Sequence, residues 1–139
     1  MGTSDYAVKI GIYADYSADI YNDGSFSDVS VYPDGTDDYA NSALRIQIQD
    51  ENGQVTSRVF DDMYYFTMEA YYVKTGNRHF LHVFTHSEND WTADNVYEIT
   101  NGQIRDLGYV EGTPALIRYE YNYNEDSLFT NSEDVAAYN

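Results

Sequence analysis

The order of strands and turns runs through this chain twice. Residues from about 7 to 60 give strand, Gly turn, strand, long polar loop, strand, Asn-Gly turn and strand. Residues from about 63 to 108 repeat that order. The closing corners match nearly letter for letter: Asn52-Gly53-Gln54-Val55 against Asn101-Gly102-Gln103-Ile104. Asn-Gly accepts the positive φ values of tight hairpins, so each corner joins antiparallel neighbours. A period of about 50 residues with four strands per unit is that of propeller blades. Two blades cannot close a ring. The expectation is therefore an all-β antiparallel fold, two four-stranded meanders packed as a sandwich or standing as an incomplete propeller-like array. For an independent chain the sandwich is favoured, because lone blades would leave apolar faces in water.

The strand signals are period-two patterns bounded by turn residues. Leu44, Ile46 and Ile48 share one face, with Arg45, Gln47 and Gln49 on the other. After Asp50-Glu51-Asn52-Gly53 the chain returns through Val55, Ser57 and Val59. A long aromatic run from Met63 to Val73 turns at Thr75-Gly76-Asn77 and comes back over 79–86. There Phe80 and Phe84 face one way and Leu81 and Val83 the other, which predicts a central strand covered on both sides. Val96 to Ile99 and Ile104 to Leu107 form the next hairpin. Lys9 to Tyr21 reads as one strand bent near Gly11 or as two short ones, and Phe26 to Tyr32 as a strand ended by a turn at Tyr32-Pro33-Asp34-Gly35. Ala115 to Tyr123 opens a ninth strand within a C-terminal strand and tail over 114–139. A turn or two of helix over 131–138 would be capped by Asn131 or Ser132. The whole chain, 1–139, reads as one domain.

Charge narrows the partners. The formal net charge is −17, which by itself approaches the composition of disordered chains. Aromatic residues make up 17% of the chain, including 16 Tyr and 6 Phe, enough ring surface to bury a core while hydroxyls stay wet. So negative a molecule repels phosphates, which excludes nucleic acid as a direct partner and disfavours anionic membranes. No apolar run approaches a membrane span. With no cysteine, disulfides and thiol chemistry are out. Met1-Gly2-Thr3-Ser4 reads as an appended start, and the chain as a piece excised from a longer protein. The texture of Tyr, Asp and Asn with Asn-Gly hairpins resembles extracellular domains of Gram-positive gut bacteria, which implies a secreted or cell-surface setting.

Four segments invite chemical readings. The first is Asp19-Ile20-Tyr21-Asn22-Asp23-Gly24-Ser25-Phe26-Ser27-Asp28, which precedes a hydrophobic strand. It resembles the Asp-rich calcium loops of FG-GAP and VCBS-type propeller repeats. Tyr21 stands where those loops carry a side-chain oxygen, and one residue is inserted between Gly24 and Asp28. The resemblance implies calcium held by Asp19, Asp23 and Asp28, with carbonyls and water completing the shell. The same residues also make a plain hairpin turn. The second segment, Pro33-Asp34-Gly35-Thr36-Asp37-Asp38, is a solvated turn that could lend acids to the first. The third carries His79, His82 and His86. His82 and His86 share a strand face but lie about 13 Å apart, too far for one zinc, so partly exposed sheet histidines are expected.

The fourth segment, over 87–95, sets the only Trp among acids and amides. Trp91 with Asp90 and Asp94 suits a sugar, the ring stacking on a pyranose face while carboxylates take hydroxyls; equally, Trp91 could plug the end of the core. Sixteen of the 24 acids are Asp, a turn former, so no carboxylate pair stands out for glycoside hydrolysis. No nucleophile elbow or phosphate-cradling loop is present. The expected role is a non-enzymatic extracellular binding or structural module of a bacterial surface protein, with an unknown protein or glycan as ligand and no cofactor beyond the possible calcium. One alternative is a carbohydrate-binding module that uses Trp91 and surface tyrosines. Another is an acidic decoy for a nucleic-acid-binding protein.

Overall fold

Alternating residues build nine strands. A computed structural model of the chain describes residues 6–36 and 39–111, with the backbone alone for Asp90, Val110 and Glu111. The strands are β1 (Tyr6–Ile10), β2 (Tyr16–Ala18), β3 (Ser27–Asp34), β4 (Ala43–Gln49), β5 (Val55–Phe60), β6 (Thr67–Thr75), β7 (Arg78–His86), β8 (Thr92–Thr100) and β9 (Gln103–Glu111). Among the described residues the one helical element is a 3-10 turn over Glu88–Asp90. The segments expected to form a further strand and a capped helix after residue 111 lie outside the described residues, as do Asp37 and Asp38.

The strands form two antiparallel sheets, β2-β3-β4-β5 and β1-β6-β7-β8-β9. The bend near Gly11 thus separates two strands that belong to different sheets. β1 crosses over and pairs with β6, Tyr6 opposite Lys74 and Ile10 opposite Ala70. Each sheet is otherwise a meander of four consecutive strands, and the two pack face to face as a sandwich. The core between them takes Val29, Val31, Leu44, Ile46 and Ile48 from the smaller sheet and Ala70, Tyr72, Leu81, Val83, Tyr97 and Ile99 from the larger, all buried. Large buried rings supply much of its apolar area.

β7 is the middle strand of five. Leu81 and Val83 join the inter-sheet core, while Phe80 and Phe84 join a second cluster on the opposite face with Ala7, Tyr71, Val73 and Val96. All four β7 residues are fully buried, so this strand is covered on both sides. His79 and His82 are buried with them rather than partly exposed, because each has found a polar partner there. Tyr72 donates its hydroxyl proton to His79 Nδ1, and His79 Nε2 donates to Asn22 Oδ1 at 2.8 Å. His82 Nδ1 donates to the Asp94 carboxylate at 2.9 Å.

Pro33 lies inside β3 rather than in a turn, opposite Leu44. β2 spans only residues opposite 27–29, so no ladder bond is lost on the side where Pro lacks its N–H. On β5 the register puts Phe60 opposite Leu44 and Arg58 opposite Ile46. Phe60 is therefore the residue that enters the core, and Val55 and Val59 face solvent at 50% and 49% exposure.

Candidate functional site: an aromatic-walled cleft

The loops that enter β6 and leave β7 lie at one end of the larger sheet, because Thr67 sits opposite His86. Between them opens a cleft of about 420 Å3. Its floor is the inner face of the larger sheet, Thr85 on β7 and Ala93, Asn95 and Tyr97 on β8. Its walls carry Trp91, Tyr64 and Tyr109, exposed at 40%, 42% and 61%. Asp61, Asp62 and Asp106 also line it.

Each wall has a local cause. Residues 87–91 close on themselves: Ser87 N–H donates to Trp91 O at 2.9 Å and Trp91 N–H to Glu88 O at 3.1 Å. Asn89, at φ 58°, supplies the left-handed step that closes the loop. The β5–β6 loop takes a similar step at Asp62, φ 61°. It is tied down by Met63 N–H to Ser42 O at 3.0 Å and by reciprocal main-chain bonds between Asn41 and Tyr65. Tyr64 Oη donates to Glu88 Oε1 at 2.9 Å and joins the two loops. The Tyr39 hydroxyl beside it, with burial and Glu88 adding, holds the Tyr64 phenol well above the ordinary tyrosine range. Tyr64, Phe66 and Tyr39 form a contiguous ring cluster, with Phe66 centroids 5.5 Å and 6.0 Å from those of Tyr64 and Tyr39.

The floor is polar where the core would otherwise continue. Asn95 Nδ2 donates to Val83 O at 3.0 Å and to Thr85 Oγ1 at 3.1 Å. Tyr97 is fully buried, and its hydroxyl has no hydrogen-bond partner among the described residues. Burial, and then Asp106 opposite it, pushes its phenol above the ordinary range. A bulge between Val96 and Tyr97 shifts the β8–β9 register at this point. Asp106 Oδ1 accepts the Gly108 N–H at 2.8 Å and shapes that irregularity.

Of the residues expected to bind a sugar, Trp91 stands in a wall of the cleft. Asp90 lies in the 3-10 turn just before it. Asp94 is fully buried against His82, on the strand face opposite Ala93 and Asn95, and does not reach the cleft. Asp61, Asp62, Tyr64, Asp106 and Tyr109 were not anticipated from sequence. One signal pointed to the first three: in a four-strand meander, the connection into its first strand and the loop after its second fall at the same end.

The Asp-rich loop is built from its own main chain. Asp19 accepts the N–H groups of Asp23 at 3.1 Å and Gly24 at 2.9 Å. Asp23 accepts the Ser25 N–H at 2.9 Å and hydroxyl at 2.6 Å. The Ser25 bonds hold the Asp23 carboxyl below the usual carboxylate range. Asp28 lies on β3 opposite Gln49. Among the described residues, no three Asp, Glu, His or Cys side chains converge so as to hold a metal ion.

Ring walls and carboxylates around a polar floor can hold a ligand by stacking and hydrogen bonding. Comparison with known proteins adds nothing to this geometry: no family model, curated protein or solved structure matches the chain.

Proposed function

We propose that this chain is a non-catalytic carbohydrate-binding module, carried outside the cell as part of a bacterial surface protein. The observation that supports it is the cleft in which Trp91, Tyr64 and Tyr109 surround polar groups. A pyranose offers an apolar face to a ring and hydroxyls at its rim, the complement of such a wall and its acids. Two of the three rings sit on loops that are hydrogen-bonded to each other, so the wall is formed before a ligand arrives, which lowers the ordering cost of binding.

The test is a glycan array followed by titration calorimetry on the best ligand. Trp91→Ala is expected to weaken binding at least about tenfold, or about 1.4 kcal/mol, with little change in melting temperature, because Trp91 is part-exposed. Unchanged affinity in that variant would remove the cleft from the account, and the absence of any glycan ligand would remove the reading itself.

A further inference from the structure

We propose that the ligand of this cleft carries protonated amines, as an amino sugar with free amino groups does; the inference rests on the carbohydrate reading above. Three carboxylates, those of Asp61, Asp62 and Asp106, line one cleft together with three rings, and among the described residues no Lys, Arg or His lines it. None of the three has an ion-pair partner among the described residues. The six described cationic side chains are all engaged elsewhere. Lys9 pairs with Glu69, Arg45 with Asp34, and Arg78 and Arg105 with Glu98. Arg58 donates to the Ile104 carbonyl and Lys74 to that of Gly76.

A neutral sugar needs acceptors at its rim but no charge, and amides would serve it as well. A cation held among carboxylates gains a Coulomb attraction that a neutral hydroxyl does not. Ring faces favour a cation too, through their negative quadrupole. Tyr97, a residue of the cleft floor, keeps a buried hydroxyl without a hydrogen-bond partner among the described residues. An amino sugar answers both parts of the cleft at once, its ring face for the aromatic wall and its ammonium groups for the acids. Uronic and sialic acids, which carry the opposite charge, are repelled.

The experiment is calorimetry at a pH of about 6, where the amines are protonated, with glucosamine tetramer, its fully N-acetylated counterpart, a cellulose oligomer and a galacturonate oligomer. The free-amine tetramer is expected to bind at least about tenfold more tightly than the acetylated one and to lose most of that advantage at about 0.5 M salt. Asp62→Asn with Asp106→Asn should abolish the advantage. Asp15→Asn with Glu51→Gln removes the same charge away from the cleft and should leave it intact. If the acetylated and neutral oligomers bind as well as the amine, the amine inference fails and the carbohydrate reading stands. If no oligomer binds, both fail. If the remote pair of substitutions weakens binding as much as the cleft pair, the attraction belongs to the whole acidic surface and the inference fails.

Discussion

Gly102 and Gly53 occupy matching letters and carry different burdens. Both have positive φ, 73° and 84°. A Cβ on Gly102 would come within 2.5 Å of the Tyr21 hydroxyl, whereas one on Gly53 would approach only Gln49, at 4.0 Å. Gly53→Ala should therefore cost about 1 kcal/mol, the conformational term alone. Gly102→Ala should cost about 2 kcal/mol, because Tyr21 must also move. Denaturant midpoints of the two variants measure the difference. His79 gives a second prediction at this scale. Burial, and then Lys74, holds its pKa below the ordinary 6.5. The unfolded chain thus binds a proton that the fold refuses, so this contribution to stability is full above pH 6.5 and drains as pH falls below it. Protonation would also turn Nδ1 into a donor facing the Tyr72 hydroxyl. Melting temperature should fall from about pH 8 to about pH 5, and less steeply in His79→Gln. Equal slopes in the two proteins would show that another group is responsible. Glu98 acts lower on the scale. Arg78 chiefly holds it below its ordinary 4.5, so what it adds is full above that value and is lost as pH falls below it.

The hairpins show how far a pattern of residues specifies an element. At Asn101-Gly102 both φ values are positive, the two-residue type I′ turn that Asn-Gly favours. At Asn52-Gly53 only the glycine is left-handed, and Asp50 takes the Asn52 and Gln54 N–H groups at 2.9 Å each, which widens the corner to three residues. That widening also settles which face of β5 turns inward, a choice that Val55, Ser57 and Val59 could not announce. The strands of each meander were readable because alternation and turn residues are local signals. The crossing of β1 was not, since a five-residue strand carries no mark of which edge it will join. The cleft was readable only at Trp91. The other wall residues are ordinary Tyr and Asp, which become a site through the pairing of distant strands. The Asp19 loop yields a prediction here. Because Asp19 caps two N–H groups of its own loop, Asp19→Ala should lower stability by about 1 kcal/mol. The loss should be the same in chelator as in calcium at matched ionic strength. A melting temperature that calcium raises in the parent and not in the variant would show that the loop binds the ion.

Across the whole molecule, 24 acids face seven basic residues, and self-repulsion works against the compact state. Adding monovalent salt up to about 0.5 M should raise the melting temperature smoothly, because screening acts on all the charges together. A fall would show that ion pairs such as Arg78 with Glu98 outweigh the repulsion. The architecture has its own consequence. The strand over 6–10 is stitched to the margin of the sheet that the chain completes only a hundred residues later. A protease cut in the linker near residue 62 would thus leave neither product whole: the leading piece would trail an orphan ribbon, and the trailing piece would expose a raw border, an invitation to domain exchange between copies. What looks divisible on paper is held together by that one ribbon.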